Sequence, residues 1–267
     1  MKNLTEFLTN PIFNSLTKYP SIQTFHKMEK GILKDELIFP ANESLEVYMT
    51  EKIDGSNIRF IIYNGDYLIG SRKEWMYAKG DRLISNEQIQ YLKNYVEEVL
   101  ESYSFKENVL YCIYGEIHGF GIQSWRNYTL SSQSYGFRIF DIWSMEKRNM
   151  ENLMILMNNT DEASHWRENN NQPWWTMNKI SRFIVECTGI IEYAPFKKLT
   201  SIQNIPTDMN ETYEFLKRFQ QTDINLDNTD KLNAKAEGVV IRTYDRNYIA
   251  KLRFEDYEKT FKKMKRK

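Results

Sequence analysis

The chain has 267 residues, 41% of them hydrophobic, with 36 Lys plus Arg against 36 Asp plus Glu. This length supports a sizeable core, and the charge balance excludes whole-surface attraction of a polyanion, so a nucleic-acid site must come from local clustering. Two cysteines, Cys112 and Cys187, allow neither a disulfide framework nor a cysteine metal site and fit a reducing, cytoplasmic compartment; the N-terminus lacks the apolar stretch of a secretory signal, and no apolar run reaches the length of a membrane span.

Taken in chain order, the pattern predicts a strand from Val47 to Lys52, then a hairpin from Ile58 to Tyr63 and Tyr67 to Ser71 through an Asn64-Gly65 turn. An apolar stripe at Ile89, Leu92, Val96, Val99 and Leu100 predicts a helix from Ser85 to Tyr103. Strands follow at Val109 to Glu116 and Phe137 to Trp143. The polar, Asn-rich stretch 158–173 ends in Pro173 and reads as a surface loop. Helices are expected over Met177 to Cys187 and Asn210 to Gln220, with a connection at 204–210. Strands at Gly238 to Thr243 and Tyr248 to Arg253 flank a turn at 244–247, and a helix begins at Phe254. The sum is an α+β fold of antiparallel sheets flanked by helices.

Several segments carry chemistry. Glu51-Lys52-Ile53-Asp54-Gly55-Ser56-Asn57 places a lysine at a strand end before a glycine turn, where backbone can approach a ligand closely. Taken alone, it reads more readily as a surface Lys and Asp bordering a hairpin. Ala236-Glu237-Gly238-Val239-Val240 opens an apolar strand with a carboxylate that needs a cation or hydrogen-bonding partners. Lys251 and Arg253, two apart, share one face of a strand, which suits either a phosphate clamp or a solvated basic face. Gly115-Glu116-Ile117-His118-Gly119 sets a carboxylate between glycines. Phe140-Asp141 lies in an aromatic-rich strand, and Ser71-Arg72 ends the hairpin.

The order of these segments is specific where each alone is not. Together they resemble the covalent nucleotidyltransferase superfamily of ATP-dependent polynucleotide ligases and mRNA capping enzymes, over Glu51 to Arg253. Asn57, five residues after Lys52, and Glu51 just before it make the RNA ligase 2 family the nearest resemblance. One departure stands out: the last motif, usually Lys-x-Lys, is Lys251-Leu252-Arg253. Arginine keeps the charge but is a planar fork that does not lose its proton.

The resemblance implies a single ATP-grasp-like adenylyltransferase domain without an OB-fold, with a motif core at 47–254, an N-terminal extension at 1–46 and a short basic tail at 255–267. It implies that Lys52 attacks ATP to form a lysyl-AMP, with Lys251, Arg253, Asp54 and Asn57 in the catalytic set. Phe140 would stack on adenine, Glu51 would contact its edge, Glu116 would bind the ribose and Arg72 the ribose or phosphate. Glu237 would help hold Mg²⁺, for which Mn²⁺ can substitute. The partner would be RNA with 5′-phosphate and 3′-OH ends, and the protein a monomer. The basic end, from Lys259 to Lys267, is expected either to contact a phosphate backbone or only to aid solubility. A compact DNA ligase, a capping guanylyltransferase and a non-catalytic binder of nucleotides or RNA ends remain alternatives.

Overall fold

A computed structural model describes residues 4–40, 44–82, 86–228 and 234–265. Ser85, at the start of one expected helix, and Arg266 and Lys267 of the basic end lie outside the described residues. In chain order, α1 (Pro11–Leu16) begins where the Asn10 side chain accepts the Ile12 and Phe13 N–H groups and Pro11 fills a position that needs no donor. Next come β1 (His26–Glu29), β2 (Ile32–Leu37), β3 (Glu46–Lys52), β4 (Ser56–Tyr63), β5 (Asp66–Ser71) and β6 (Trp75–Ala78). The β4–β5 turn has Asn64 and Gly65 at φ 49° and 77°, the left-handed pair that matches strand twist, as the Asn-Gly dipeptide predicts.

α2 (Glu87–Ser102) is capped by Asn86 and buries Leu92, Val96 and Val99 of the expected stripe, with Ile89 and Leu100 half-buried. β7 (Val109–Gly119) and β8 (Tyr135–Glu146) run longer than predicted, and α3 (Lys147–Leu156) follows. The stretch 158–173, read as a loop, contains α4 (Thr160–Glu168). Its start is set by Asn159, whose side chain accepts the Asp161 and Glu162 N–H groups, with both acids in the first turn. Arg167 anchors it by donating to the Ser15 carbonyl at 2.6 Å. α5 (Met177–Glu186), β9 (Glu192–Tyr193), β10 (Phe196–Ser201), α6 (Met209–Lys217), β11 (Gly238–Thr243), β12 (Ile249–Arg253) and α7 (Phe254–Met264) complete the described chain.

The strands form a two-stranded hairpin of β1 and β2, a four-stranded sheet ordered β10-β3-β11-β12 and a six-stranded sheet ordered β6-β5-β4-β7-β8-β9. The described pairings are antiparallel except β8 with β9, which is parallel. The chain divides into two compact units: Met1–Ser21, Ser56–Ile117 and Phe137–Tyr193 in the first, Ile22–Gly55, His118–Gly136 and Ala194–Lys267 in the second.

In the first unit, Phe60, Tyr95 and Phe137 join β4, α2 and β8 in edge-on and stacked contacts at 4.9–5.9 Å. The N-terminal segment is tied in through Arg59, wholly buried, which donates to the Asn14 carbonyl at 2.8 Å and the Thr17 hydroxyl at 2.9 Å and lies 4.0 Å over Trp75. Burial pulls its pKa down to about 10.

In the second unit, Val47 and Met49 of β3, Val239 and Ile241 of β11 and Ala250 and Leu252 of β12 make one face of the four-stranded sheet a core with Phe215, Leu216 and Tyr257. Part of the expected N-terminal extension belongs here: Phe25 N–H donates to the Lys251 carbonyl and Lys251 N–H to the Gln23 carbonyl, pairing the free edge of β12. His26 lies between the Tyr257 hydroxyl at 2.8 Å and the Thr207 carbonyl at 2.9 Å.

Candidate active site

In the second unit, β3, β11 and β12 bring the two ends of the motif series together. Gly238 pairs in register with Lys52 on one side and Arg253 on the other. The three residues form one rung, which puts the two cations on the same sheet face about 10 Å apart at Cα, two strand spacings. A side chain at position 238 would place its Cβ 2.0 Å from the Leu252 carbonyl oxygen, so the close strand approach requires glycine. Lys251 is two residues before Arg253 and shares that face, opposite buried Ala250 and Leu252.

Glu237 bridges the rung. Its Oε2 takes the Lys52 ammonium at 2.5 Å and its Oε1 the Arg253 Nη1 at 3.3 Å. The Lys52 and Glu237 side chains remain 23% and 18% exposed, so an entering anion can reach them. Arg253 also donates Nε and Nη2 to the two oxygens of Asp256 at 2.8 and 2.6 Å. These bonds, ahead of the charge of Glu237, push its pKa further up. Lys251 shifts the other way: burial first, then Arg253 and Lys52, lower its pKa, while Asp256 and Glu237 partly oppose this.

Glu51 points to the other face of β3. Its side chain is 0% exposed and forms an ion pair with Lys197 at 3.0 Å, while Lys197, 7% exposed, also meets Asp223 at 2.8 Å. The Thr222 hydroxyl and the Asp223 N–H, the latter at 2.9 Å, donate to the same carboxylate. Contact of Glu51 with a base edge would require exchanging these partners. Lys197 reaches Glu51 because β10 carries a bulge between Phe196 and Lys198, which re-aims the intervening side chain. Asp54 follows Lys52 in a turn held by Tyr128, whose hydroxyl oxygen accepts the Asp54 N–H at 2.7 Å. Sequence reasoning missed Lys197, Thr222, Asp223, Tyr128 and Asp256. Each acts through a bulge, a loop or a long-range contact that leaves no periodic signal.

The remaining predicted residues lie in the first unit. Asn57 and Glu116 are directly paired across β4 and β7. The Asn57 Oδ1 is buried without a hydrogen-bond partner, which marks it as an acceptor lacking a donor. Arg72, exposed after β5, donates to the Ser21 hydroxyl at 2.8 Å. Phe140 is half-buried on β8 with Tyr19 edge-on at 4.9 Å, and the Tyr19 hydroxyl donates to the buried Asp141 carboxylate at 2.5 Å.

Comparison with known proteins decides the family. A family model of RNA ligase matches residues 45–263. The chain belongs to the RNA ligase family. The fold is similar to that of a Naegleria gruberi RNA ligase variant with ATP and Mn, at 16% identity and a TM-score of 0.54 over 91% of this chain and 61% of that one. It is likewise similar to the same organism's RNA ligase with pyrophosphate, at 17% identity and 0.54 over 91% and 62%. A variant with AMP and Mn matches at 16% and 0.55 over 91% and 64%. This chain thus spans about three fifths of the length of those ligases. No curated protein matches it in sequence.

For an RNA ligase family member, the fit to a divalent cation depends on its donors. Among the described residues, no group of three or more His, Cys, Asp and Glu side chains gathers to hold an ion. Mg²⁺ often takes one or two carboxylates, keeping waters and substrate phosphates for its other positions. Glu237 therefore fits as a single carboxylate donor, provided an incoming cation replaces Lys52 or Arg253 on it. Among the described residues, no helix is long and apolar enough to cross a membrane.

Proposed function

We propose that this chain is an ATP-dependent RNA ligase, a single adenylyltransferase catalytic domain that works as a monomer in the cytoplasm. The observation that carries the reading is the rung on which Lys52 and Arg253 flank Gly238, with Glu237 bridging the two cations. Lys52 attacks the α-phosphorus of ATP; a P–N bond forms, the bond to the β-phosphate oxygen breaks and pyrophosphate leaves. For this the Lys52 nitrogen must present its lone pair to phosphorus, because only the neutral amine is a nucleophile.

Binding of ATP phosphates beside Lys251 and Arg253 gives those cations anionic partners, and displacement of Lys52 from Glu237 frees its side-chain nitrogen to turn to the α-phosphorus. A divalent cation on Glu237, Mg²⁺ or Mn²⁺, supplies charge neutralisation to the phosphates when bound. Phe140 covers the adenine, Glu116 the ribose, and Arg72 the ribose or phosphate; the unpartnered Asn57 Oδ1 supports a role in orienting a water or the metal shell. Glu51 sets the wall beside the base through the Thr222–Asp223 segment it anchors. The AMP then passes to an RNA 5′-phosphate, and a 3′-OH displaces it.

The test is ligation of RNA carrying a pre-adenylylated 5′ end, with ATP omitted. Sealing by wild type, with Lys52→Ala retaining part of that activity, is the expected result, since the last step needs no lysine nucleophile. Sealing of all-DNA strands alone would move the reading to a DNA ligase. Binding of the RNA without joining would leave only a binder of RNA ends.

A further inference from the structure

The Arg at position 253 departs from the lysine that the motif series leads one to expect, and its surroundings give a physical account of the change. Arg253 ends β12, and Asp256 lies in the first turn of α7, so the strand-to-helix junction fixes their spacing. Asp256 is 5% exposed and receives Nε and Nη2 in a parallel two-bond fork at 2.8 and 2.6 Å. Nη1 meets Glu237 at 3.3 Å, and Glu237 in turn holds Lys52 at 2.5 Å. Three of the five guanidinium N–H donors are thus engaged, and two are left for an incoming phosphate.

We propose that Asp256 is a positioning residue for adenylyl transfer: it fixes the plane of the Arg253 guanidinium so that one edge faces Glu237 and the free N–H groups face the phosphates of ATP. The proposal rests on the reading of the chain as an ATP-dependent ligase. A lysine at 253 is a single charged point on a flexible stem. Held by buried Asp256, it is drawn off the rung; released, it has no fixed direction. Arg253 and Asp256 therefore form one device, and neither substitution is conservative. The carboxylate does not touch substrate in this scheme; it acts through Arg253.

The test is a double-mutant cycle on wild type, Asp256→Asn, Arg253→Lys and the double variant. It reads the single-turnover rate of AMP transfer from ATP to the protein, the apparent KM for ATP and the thermal unfolding midpoint. Each single variant should lose about 10- to 100-fold in rate, the scale of a misplaced catalytic group, and raise the KM. The double variant should be no slower than the slower single one. A merely structural role for Asp256 would lower the midpoint and leave rate and KM of the folded protein unchanged, which would overturn the proposal. Arg253→Lys is the safeguard if Asp256→Asn folds poorly, since lysine keeps a charge for Asp256; wild-type rate and KM in that variant would also overturn it. Losses that multiply in the double variant would do the same. If wild type takes up no AMP from ATP, the ligase reading falls and this proposal with it; AMP uptake by wild type with an unaffected Arg253→Lys removes the proposal alone.

Discussion

Two ion-pair networks sit one residue apart on opposite faces of β3, and they are built differently. Lys52, Glu237 and Arg253 are partly open to solvent, and one carboxylate serves two cations. Glu51, Lys197, Thr222 and Asp223 form a closed network in which both oxygens of a fully buried carboxylate are satisfied. An open network can exchange partners with a phosphate at small cost, because water already screens it. A closed one exchanges only at larger cost, because displacing Lys197 from Glu51 takes a buried charge from its partner. Adjacent residues of one strand thus separate into a solvent-open side, where the proposed chemistry lies, and a buried supporting side.

Substitutions can break that contrast. Lys52→Ala should abolish covalent AMP uptake, by at least about 10³-fold, since no other group can form the intermediate. Its unfolding midpoint should stay within a few degrees of wild type; a large drop would mean that the Lys52 network is structural too. Glu51→Ala should do the reverse first, costing about 3–5 kcal/mol of stability by denaturant unfolding, because it breaks the buried Glu51–Lys197 pair and takes the acceptor from the Thr222 hydroxyl and the Asp223 N–H. A stable Glu51→Ala protein would show that the closed network is not closed.

Two smaller effects sharpen the comparison. Tyr128→Phe removes the acceptor for the Asp54 N–H and should cost about 1–3 kcal/mol if that donor stays dry, with slower AMP uptake from a looser turn after Lys52. Unchanged stability and rate would mean that water replaces the hydroxyl. The smallest concerns His26 on the core side of the same unit. Burial lowers its pKa from the ordinary 6.5, outweighing the opposing pull of the Thr207 carbonyl, Asp35 and Asp208. Since the folded state holds the neutral ring, its contribution is complete above pH 6.5 and is lost as pH falls through the lowered folded value. Unfolding midpoints should therefore drop as pH falls from 6.5 towards the lowered folded value and level off below it, and His26→Gln should flatten the change; an equal slope in the variant would assign it to other groups.

Much of the supporting frame was legible before the structure. The Asn64-Gly65 turn, the α2 stripe and the β11–β12 hairpin follow from local rules, because the turn geometry and the helical repeat leave marks within a few residues. The alternation that sends Lys251 and Arg253 to one face and Ala250 and Leu252 to the core held in β12. The α4 helix was missed because its exposed surface is polar; its signal was the Asn159 cap with two acids in the first turn. Lys197 could not be found, because a bulge decides where it points. Asp256 was hidden in what read as the start of an ordinary charged helix. Motif order suggested where chemistry should lie, but not which partners each charge would hold.

The most direct test of the central claim is to incubate the purified protein with Mg²⁺ and α-labelled ATP, digest it and map the label by mass spectrometry. The account predicts a single adenylyl group on the peptide containing Lys52, absent from Lys52→Ala. No label from ATP, in protein shown by intact mass to carry no AMP beforehand, or label on another residue, would contradict it.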